Sequence, residues 1–358
     1  MMKNIFTAMQ LKTLTLKNRI CVPPMITPFS QPHTGLVVEE TVRNYERLAL
    51  GQAGLIIVEA TAINLQGRLG ILQLGLWNDE QIEGHRSLVE AVHQAGAPVL
   101  VQIHHAGIVG IEEEAFCPSA YTYTRADGRT KTGIEMTLED IKIIQRDFVN
   151  AAIRAYKAGY DGIELHGCHN YLLCQFMNRK VNTRTDAYGQ DSTLFVREIL
   201  AEIRKHTPAS WIVGIRLGGF EPTLDDALDN AKQLEASGMD FFDISYGFRR
   251  EQETTMPQGY PYWDIIYAAQ RIKEAVSVPV FVANGITSPE MAENILNDTK
   301  VDIIDIGRGF MVNFDWVKDA MAGLDTGHCL RCKVCLLYTE PDRCPGRVLT
   351  AKRNRELK

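Results

Sequence analysis

The apolar positions of this chain fall into two recurring patterns. One is a set of short, nearly unbroken runs rich in β-branched residues: Ile20 to Met25, Leu55 to Glu59, Val99 to Ile103, Gly162 to Leu165, Trp211 to Arg216, Phe241 to Ser245, Val278 to Ala283 and Asp302 to Ile306. Apolar runs this short, with little polar alternation, predict strands covered on both faces. The other pattern has helical spacing and lies mostly between those runs. Leu138 to Ala158 is the clearest case, with Thr137 as N-cap and Gly159 as stop. Gly51-Gln-Ala-Gly54, Gln94-Ala-Gly96 and Ala236-Ser-Gly238 mark helix ends just ahead of the next run, and Ser288-Pro289 opens a further helix. Eight strands alternating with helices predict an α/β fold, a parallel (β/α)8 TIM barrel. A doubly wound open sheet is the alternative, and the count of eight and the lack of an early Gly-x-Gly-x-x-Gly turn weigh against it.

The pattern places the barrel at 1–324 and leaves 325–358 as a short cysteine-containing C-terminal tail. The longest loop, about Ala106 to Met136, follows the third strand and is expected to cap the barrel mouth. Composition changes this picture little: 358 residues, 45% hydrophobic and 23% charged, suit a globular protein with a sizeable core. A net charge of −6 argues against general nucleic-acid binding. No apolar run has the length of a membrane span, and the N-terminus lacks the apolar core of a secretory signal, so the cytoplasm is the expected compartment. The basic residues Arg347, Lys352, Arg353, Arg355 and Lys358 predict a solvated, frayed terminus.

Chemistry belongs at the carboxyl ends of barrel strands. The fourth strand delivers His166-Gly-Cys-His169-Asn-Tyr171. An imidazole pair can bind and polarise an oxygen, and a neutral phenol nearby can release a proton. The pair is also half of a zinc-type ligand set, although the sequence offers no evident third ligand. His104 and His105, at the end of the third strand, have the simpler reading of structural histidines. Asn284-Gly285 and Gly307-Arg308-Gly309 follow the last two strands. Their backbone N–H groups and the Arg308 cation suit a phosphorylated ligand.

Taken in order, these pieces resemble the old yellow enzyme family, in the branch that also supplies the N-terminal barrel of 2,4-dienoyl-CoA reductases. The matching segments are Leu16-Lys-Asn18-Arg19, Pro24-Met25, Val58-Glu-Ala60-Thr61, Gln102 with His105-Ala-Gly107, Cys117-Pro118-Ser119-Ala120, His166-x-x-His169-x-Tyr171-Leu-Leu-x-Gln175-Phe176, Asn182-x-Arg184-Thr-Asp186-x-Tyr188-Gly189, Arg216, Gly285-Ile-Thr and Gly307-Arg308. The resemblance implies non-covalent FMN, with Pro24, Met25 and Ala60 lining the ring and Gln102 at its pyrimidine edge. It further implies Arg216 near the N1/O2 side, and Gly285, Gly307 and Arg308 at the phosphate. The activity it implies passes hydride from NAD(P)H through flavin N5 to a small-molecule alkene conjugated to a carbonyl. His166 and His169 would hold the carbonyl oxygen, and Tyr171 would protonate the α-carbon. The chain departs from the family pattern at Ile26, where a threonine or cysteine is usual, at Ile108, where an arginine is frequent, and at Asn284, where glycine is frequent. Two other functions share these features: a flavin-free barrel enzyme acting on a phosphorylated substrate, and a flavin- or metal-dependent redox sensor.

Four of the eight cysteines lie in the tail as Cys329-x-x-Cys332-x-x-Cys335-x8-Cys344. Thiolates this dense can hold a 4Fe–4S cluster or a zinc ion. The dienoyl-CoA reductase branch has such a cluster after its barrel, with three residues between the second and third cysteines where this chain has two. A cluster here would call for an external electron donor. Oligomer formation is left open by the sequence.

Overall fold

The computed structural model describes residues 4–124, 128–247 and 256–356. Eight parallel strands close into a barrel: β1 (Ile20–Val22), β2 (Leu55–Ala62), β3 (Val99–His104), β4 (Gly162–Gly167), β5 (Ile212–Gly218), β6 (Phe242–Ser245), β7 (Val280–Val282) and β8 (Ile303–Asp305). Each lies on one of the eight apolar runs. Seven helices of 11 to 21 residues follow β1 to β7 around the barrel: α1 (Glu39–Leu50), α2 (Gln81–Gln94), α3 (Leu138–Ala158), α4 (Leu194–His206), α5 (Leu224–Ala236), α6 (Asp264–Ala275) and α7 (Pro289–Thr299). After β8 come a short helix at Arg308–Val312 and then α8 (Trp316–Met321).

Local chemistry accounts for the helix ends. Thr137 Oγ1 accepts from Asp140 N at 3.1 Å while Thr137 N donates to the Asp140 carboxylate, a reciprocal cap for α3. Gly159 ends α3 at φ 96°, a left-handed position that costs glycine little. Ser288 caps α7 by accepting from Met291 N.

Side chains two apart on a strand share a face, so Leu100, Gln102 and His104 all belong to one face of β3. On that inner face the barrel is layered. Its amino end is apolar, with Leu55, Leu100, Ile212 and the stacked pair Phe241 and Phe281 in one cluster. An antiparallel hairpin, Met9–Leu11 with Leu14–Leu16, plugs this end with Leu11 and Leu16. Its strands of three residues are too short to give a periodic signal, and the sequence reading did not anticipate it. Above the apolar floor comes a buried polar layer: Gln102, Glu164, Arg216, Asp243 and Asp305.

Within the long loop after β3, residues 122–124 pair with 130–132, and Phe116–Cys117 pairs with Ile134–Glu135. The expectation of a frayed basic terminus is corrected. Helix α9 (Pro345–Glu356) is anchored by an Arg353–Asp325 ion pair at 3.0 Å, by Asn354 Nδ2 donating to Asp319, and by Arg347 donating to the Met311 carbonyl. Lys358 lies outside the described residues. Among those residues, no helix is long and apolar enough to cross a membrane.

Candidate active site

Three imidazoles stand in a row across the barrel mouth. His104 Nδ1 lies 3.2 Å from His166 Nδ1, His166 Nε2 lies 3.1 Å from His169 Nδ1, and His169 Nε2 lies 2.8 Å from Ser245 Oγ at the end of β6. The Tyr171 ring stands edge-on to His104 and His166, with centroids 4.5 and 4.6 Å away. The chain reaches this arrangement by turning sharply after β4, with His169 at φ 56° and Asn170 at φ 65°. Such φ values are uncommon outside glycine and concentrate at functional sites.

Burial sets the charge states. It drives His169 down to about 3, with the Arg216 charge acting in the same direction. His166 is held well below the usual histidine range by burial, then by His104, His169 and Arg216. The Tyr171 phenol is pushed up, first by burial and then by Cys168 and Tyr123. At neutral pH the imidazoles are therefore uncharged and the phenol keeps its proton.

Cys168 completes the one trio, among the described residues, whose metal-capable atoms lie within 4.8 Å of one another: His166, Cys168 and His169. Burial holds the Cys168 thiol protonated, and a protonated thiol is a poor metal ligand. The imidazole nitrogens are moreover engaged with each other.

Beside this row opens a cleft of about 390 Å³, lined by Pro24, Met25, Arg216, Gly285, Gly307 and Arg308 among others. That volume is on the scale of ligand pockets. Asn284 and Gly285 turn the chain after β7 with φ 87° and 73°. A Cβ on Gly285 would come within 2.5 Å of Trp263 Nε1, so the turn calls for glycine on two counts. Asparagine is among the residues that best tolerate this region, which explains how Asn284 stands in for the glycine frequent there. Of the residues assigned to the cofactor from sequence, Ala60 and Gln102 do not line the cleft. The Ala60 carbonyl accepts from Gln73, and Gln102 Nε2 donates to Glu164 Oε1 at 2.7 Å one layer below the mouth.

The floor of the cleft is electrostatically strong. Burial opposes the Arg216 charge, but the Asp243 carboxylate, with an oxygen 3.3 Å from Nε, leads the neighbours that keep the guanidinium cationic. Glu164 and Asp305 are pushed up, first by burial and then by Asp243. Asn284 Nδ2 is buried without a hydrogen-bond partner, while Arg216 Nε faces the Asp243 carboxylate at 3.3 Å. Orphaned polar atoms at a cleft mark a place where a polar ligand completes the structure.

One site residue carried no role in the sequence reading. Glu59, inside β2, accepts from Thr27 N at 2.8 Å, Thr27 Oγ1 at 2.7 Å and Tyr45 Oη at 3.2 Å. It clamps the loop that carries Met25 and Ile26. Burial raises its carboxyl to about 7 in spite of these bonds. A glutamate closing an otherwise apolar strand run was the available signal.

The tail reaches the same mouth. Gly327, His328, Cys329 and Arg331 also line the cleft. Tyr338 Oη donates to the Ile26 carbonyl at 3.4 Å, and its ring packs edge-on against Phe29. Cys329 and Cys344 are half-buried, Cys332 and Cys335 exposed. As a donor set four thiols suit iron–sulfur or zinc, but in this structure their sulfurs are not gathered as the His166 trio is.

Residues 4–327 match the model of the NADH:flavin oxidoreductase / NADH oxidase family. The chain is 34% identical over 333 residues to an NADPH dehydrogenase of Bacillus subtilis, an alignment covering 91% of this chain and 96% of that protein. It is 32% identical over 350 residues to an NADH oxidase of Thermoanaerobacter brockii, covering 92% of this chain and 53% of that longer protein. An old yellow enzyme homologue from Zymomonas mobilis superposes with a TM-score of 0.79 at 22% identity, covering 94% of this chain and 99% of that one. Morphinone reductase does so with a TM-score of 0.77 at 24% identity, covering 94% and 95%. These two likenesses establish the shared barrel. With family match, sequence relatives and fold in agreement, the chain belongs to the NADH:flavin oxidoreductase / NADH oxidase family and is an NAD(P)H-dependent flavin oxidoreductase.

Proposed function

We propose that the barrel mouth is the active site of an FMN-dependent ene-reductase whose substrate is an alkene conjugated to a carbonyl. The observation that carries this reading is the pairing of His166 and His169 nitrogens 3.1 Å apart, beside a protonated Tyr171, next to a cleft that ends in an anion cradle. FMN fits the cleft on this chain's own features: the Gly285 turn that a Cβ would obstruct, the unpartnered Asn284 Nδ2, and the Arg308 cation. Gly285, Gly307 and Arg308 would hold its phosphate, and Pro24 and Met25 its ring. Bound there, FMN supplies the two-electron carrier between NAD(P)H and the alkene.

The protein's own groups do the rest. Neutral His166 and His169 donate N–H bonds to the substrate carbonyl oxygen and stabilise the negative charge that grows on it. Tyr171 gives its phenolic proton to the α-carbon. The Arg216 charge at the cleft floor favours an anionic ring. Ile26, 43% exposed on the rim, offers an apolar contact where the family usually has a hydrogen-bonding side chain. Family membership disfavours a flavin-free enzyme of phosphorylated substrates.

The same reading assigns 1–324 to the catalytic barrel and 325–358 to an appended element, in a cytoplasmic protein. Cys329, Cys332, Cys335 and Cys344 are proposed to bind a 4Fe–4S cluster or zinc, the former with an external electron donor. No step above passes through them. Iron, zinc and acid-labile sulfide analysis of protein purified without oxygen tests this, and a metal-free, sulfide-free protein rejects it. For the main reading, the test is anaerobic reduction by NAD(P)H followed by 2-cyclohexenone. Recovery of the yellow colour with formation of cyclohexanone supports it, and a flavin that no enone reoxidises rejects it.

A further inference from the structure

We propose that His104 is a positioning residue that fixes the tautomer of His166, so that the His166 N–H points to the substrate oxygen. The inference rests on the anchoring role just given to His166 and His169, and extends it to a residue that role does not include.

A neutral imidazole has one N–H and one bare nitrogen. His166 Nε2 and His169 Nδ1 face each other at 3.1 Å, so in the ligand-free site one of them donates to the other. To present an N–H to a substrate oxygen that displaces this contact, His166 must carry its proton on Nε2, and its opposite nitrogen must then accept a hydrogen bond. That nitrogen is Nδ1, and the group 3.2 Å from it is His104 Nδ1. While His169 Nδ1 accepts from His166, the His169 proton sits on Nε2, 2.8 Å from Ser245 Oγ.

The decisive feature is the far side of His104. Its Nε2 is buried and has no hydrogen-bond partner. A buried N–H without an acceptor is rarer and costlier than a bare lone pair. His104 therefore keeps its proton on Nδ1, where it donates to His166 Nδ1. That leaves His166 only the Nε2–H form, facing the mouth. Burial keeps His104 uncharged, so it acts through its tautomer rather than through charge. Ser245 is more adaptable, since a hydroxyl can donate or accept and serves either form of His169. No proton is gained or lost in this arrangement. The three imidazoles hold one each and the hydroxyl holds its own.

The test uses the FMN-loaded, histidine-15N-labelled enzyme and the variants His104→Leu and His104→Asn. Long-range 1H–15N spectra of the ligand-free enzyme should show His166 as the Nε2–H tautomer and His104 as the Nδ1–H tautomer. In His104→Leu the His166 signals should shift toward a mixture, and the Kd for 4-hydroxybenzaldehyde should rise roughly tenfold or more, as expected for loss of a hydrogen bond that holds a buried donor in place. In His104→Asn the side-chain amide N–H can occupy the place of Nδ1–H and should restore most of the affinity. A wild-type His166 found as Nδ1–H overturns the proposal, as does unchanged phenol affinity in His104→Leu. Should His104→Leu not fold, the wild-type tautomers and the His104→Asn affinity decide. Wild-type enzyme that binds no phenol while showing the expected tautomers would overturn the anchoring reading instead, so the two failures are distinguishable.

Discussion

Burial prepares Tyr171 for the proton-donor role proposed for it. Its phenol is raised by burial and cannot ionise at neutral pH, which makes it an acid held in reserve beside two uncharged imidazoles. Tyr171→Phe should leave flavin reduction by NAD(P)H intact and lower enone turnover by roughly 10²–10⁴-fold, as separate half-reaction kinetics would show. Glu59 makes a second prediction at this scale. Its carboxyl titrates near 7 when folded, against 4.5 when exposed. Between those values the folded state holds a proton that the unfolded state has lost, so stability falls as pH rises from about 4.5 to about 7. In Glu59→Gln this part of the decline should vanish, because the amide has no charge to bury. Chemical denaturation at a series of pH values reads this directly, and an unchanged slope would remove Glu59 from the account. His166, His169 and Tyr171 were legible because six residues after a buried strand carried three reactive side chains. His104 was not, because a histidine at a strand end looks the same whether it fills space or sets a neighbour's tautomer. Only its partners in the folded structure separate the two.

Among elements, the turns after β4 and β7 carry the site. Both use left-handed residues, His169–Asn170 and Asn284–Gly285, to fold the chain back across the mouth. Gly285→Ala should cost about 1–3 kcal/mol of backbone strain and push against Trp263. FMN affinity should drop accordingly, measured by fluorescence on reconstitution of the apoprotein. Asn284→Gly relieves the left-handed backbone but removes the unpartnered Nδ2 at the cleft, so FMN affinity should fall there as well. The strands and long helices were legible because their periodicity is set by burial on known faces and their ends by caps such as Thr137 and Ser288. The hairpin at Met9–Leu16 was not, since two three-residue strands hold no measurable period. The placement of Gln102 under the mouth depends on its bond to Glu164, a contact between strands that no local pattern encodes.

At the scale of the whole molecule, barrel and tail share one site. The tail supplies Gly327, His328, Cys329 and Arg331 to the cleft wall, and Tyr338 grips the carbonyl of Ile26 on the opposite loop. Ending the chain at residue 324 should therefore weaken FMN retention as well as lower thermal stability. A truncated protein that holds FMN as tightly as the full chain would show the tail to be a bystander. The basic run read as frayed becomes α9 because Asp319 and Asp325, some thirty residues earlier, provide partners for Asn354 and Arg353. The cysteine spacing was visible at once, but which groups a surface segment gathers depends on the segment's final path. The most direct measurement of the central claim is a two-step anaerobic stopped-flow experiment on the FMN-loaded wild type and Tyr171→Phe. The account expects both proteins to lose their yellow absorbance with NAD(P)H at similar rates, and only the wild type to regain it rapidly with 2-cyclohexenone. Equal reoxidation of the two proteins, or of neither, would contradict it.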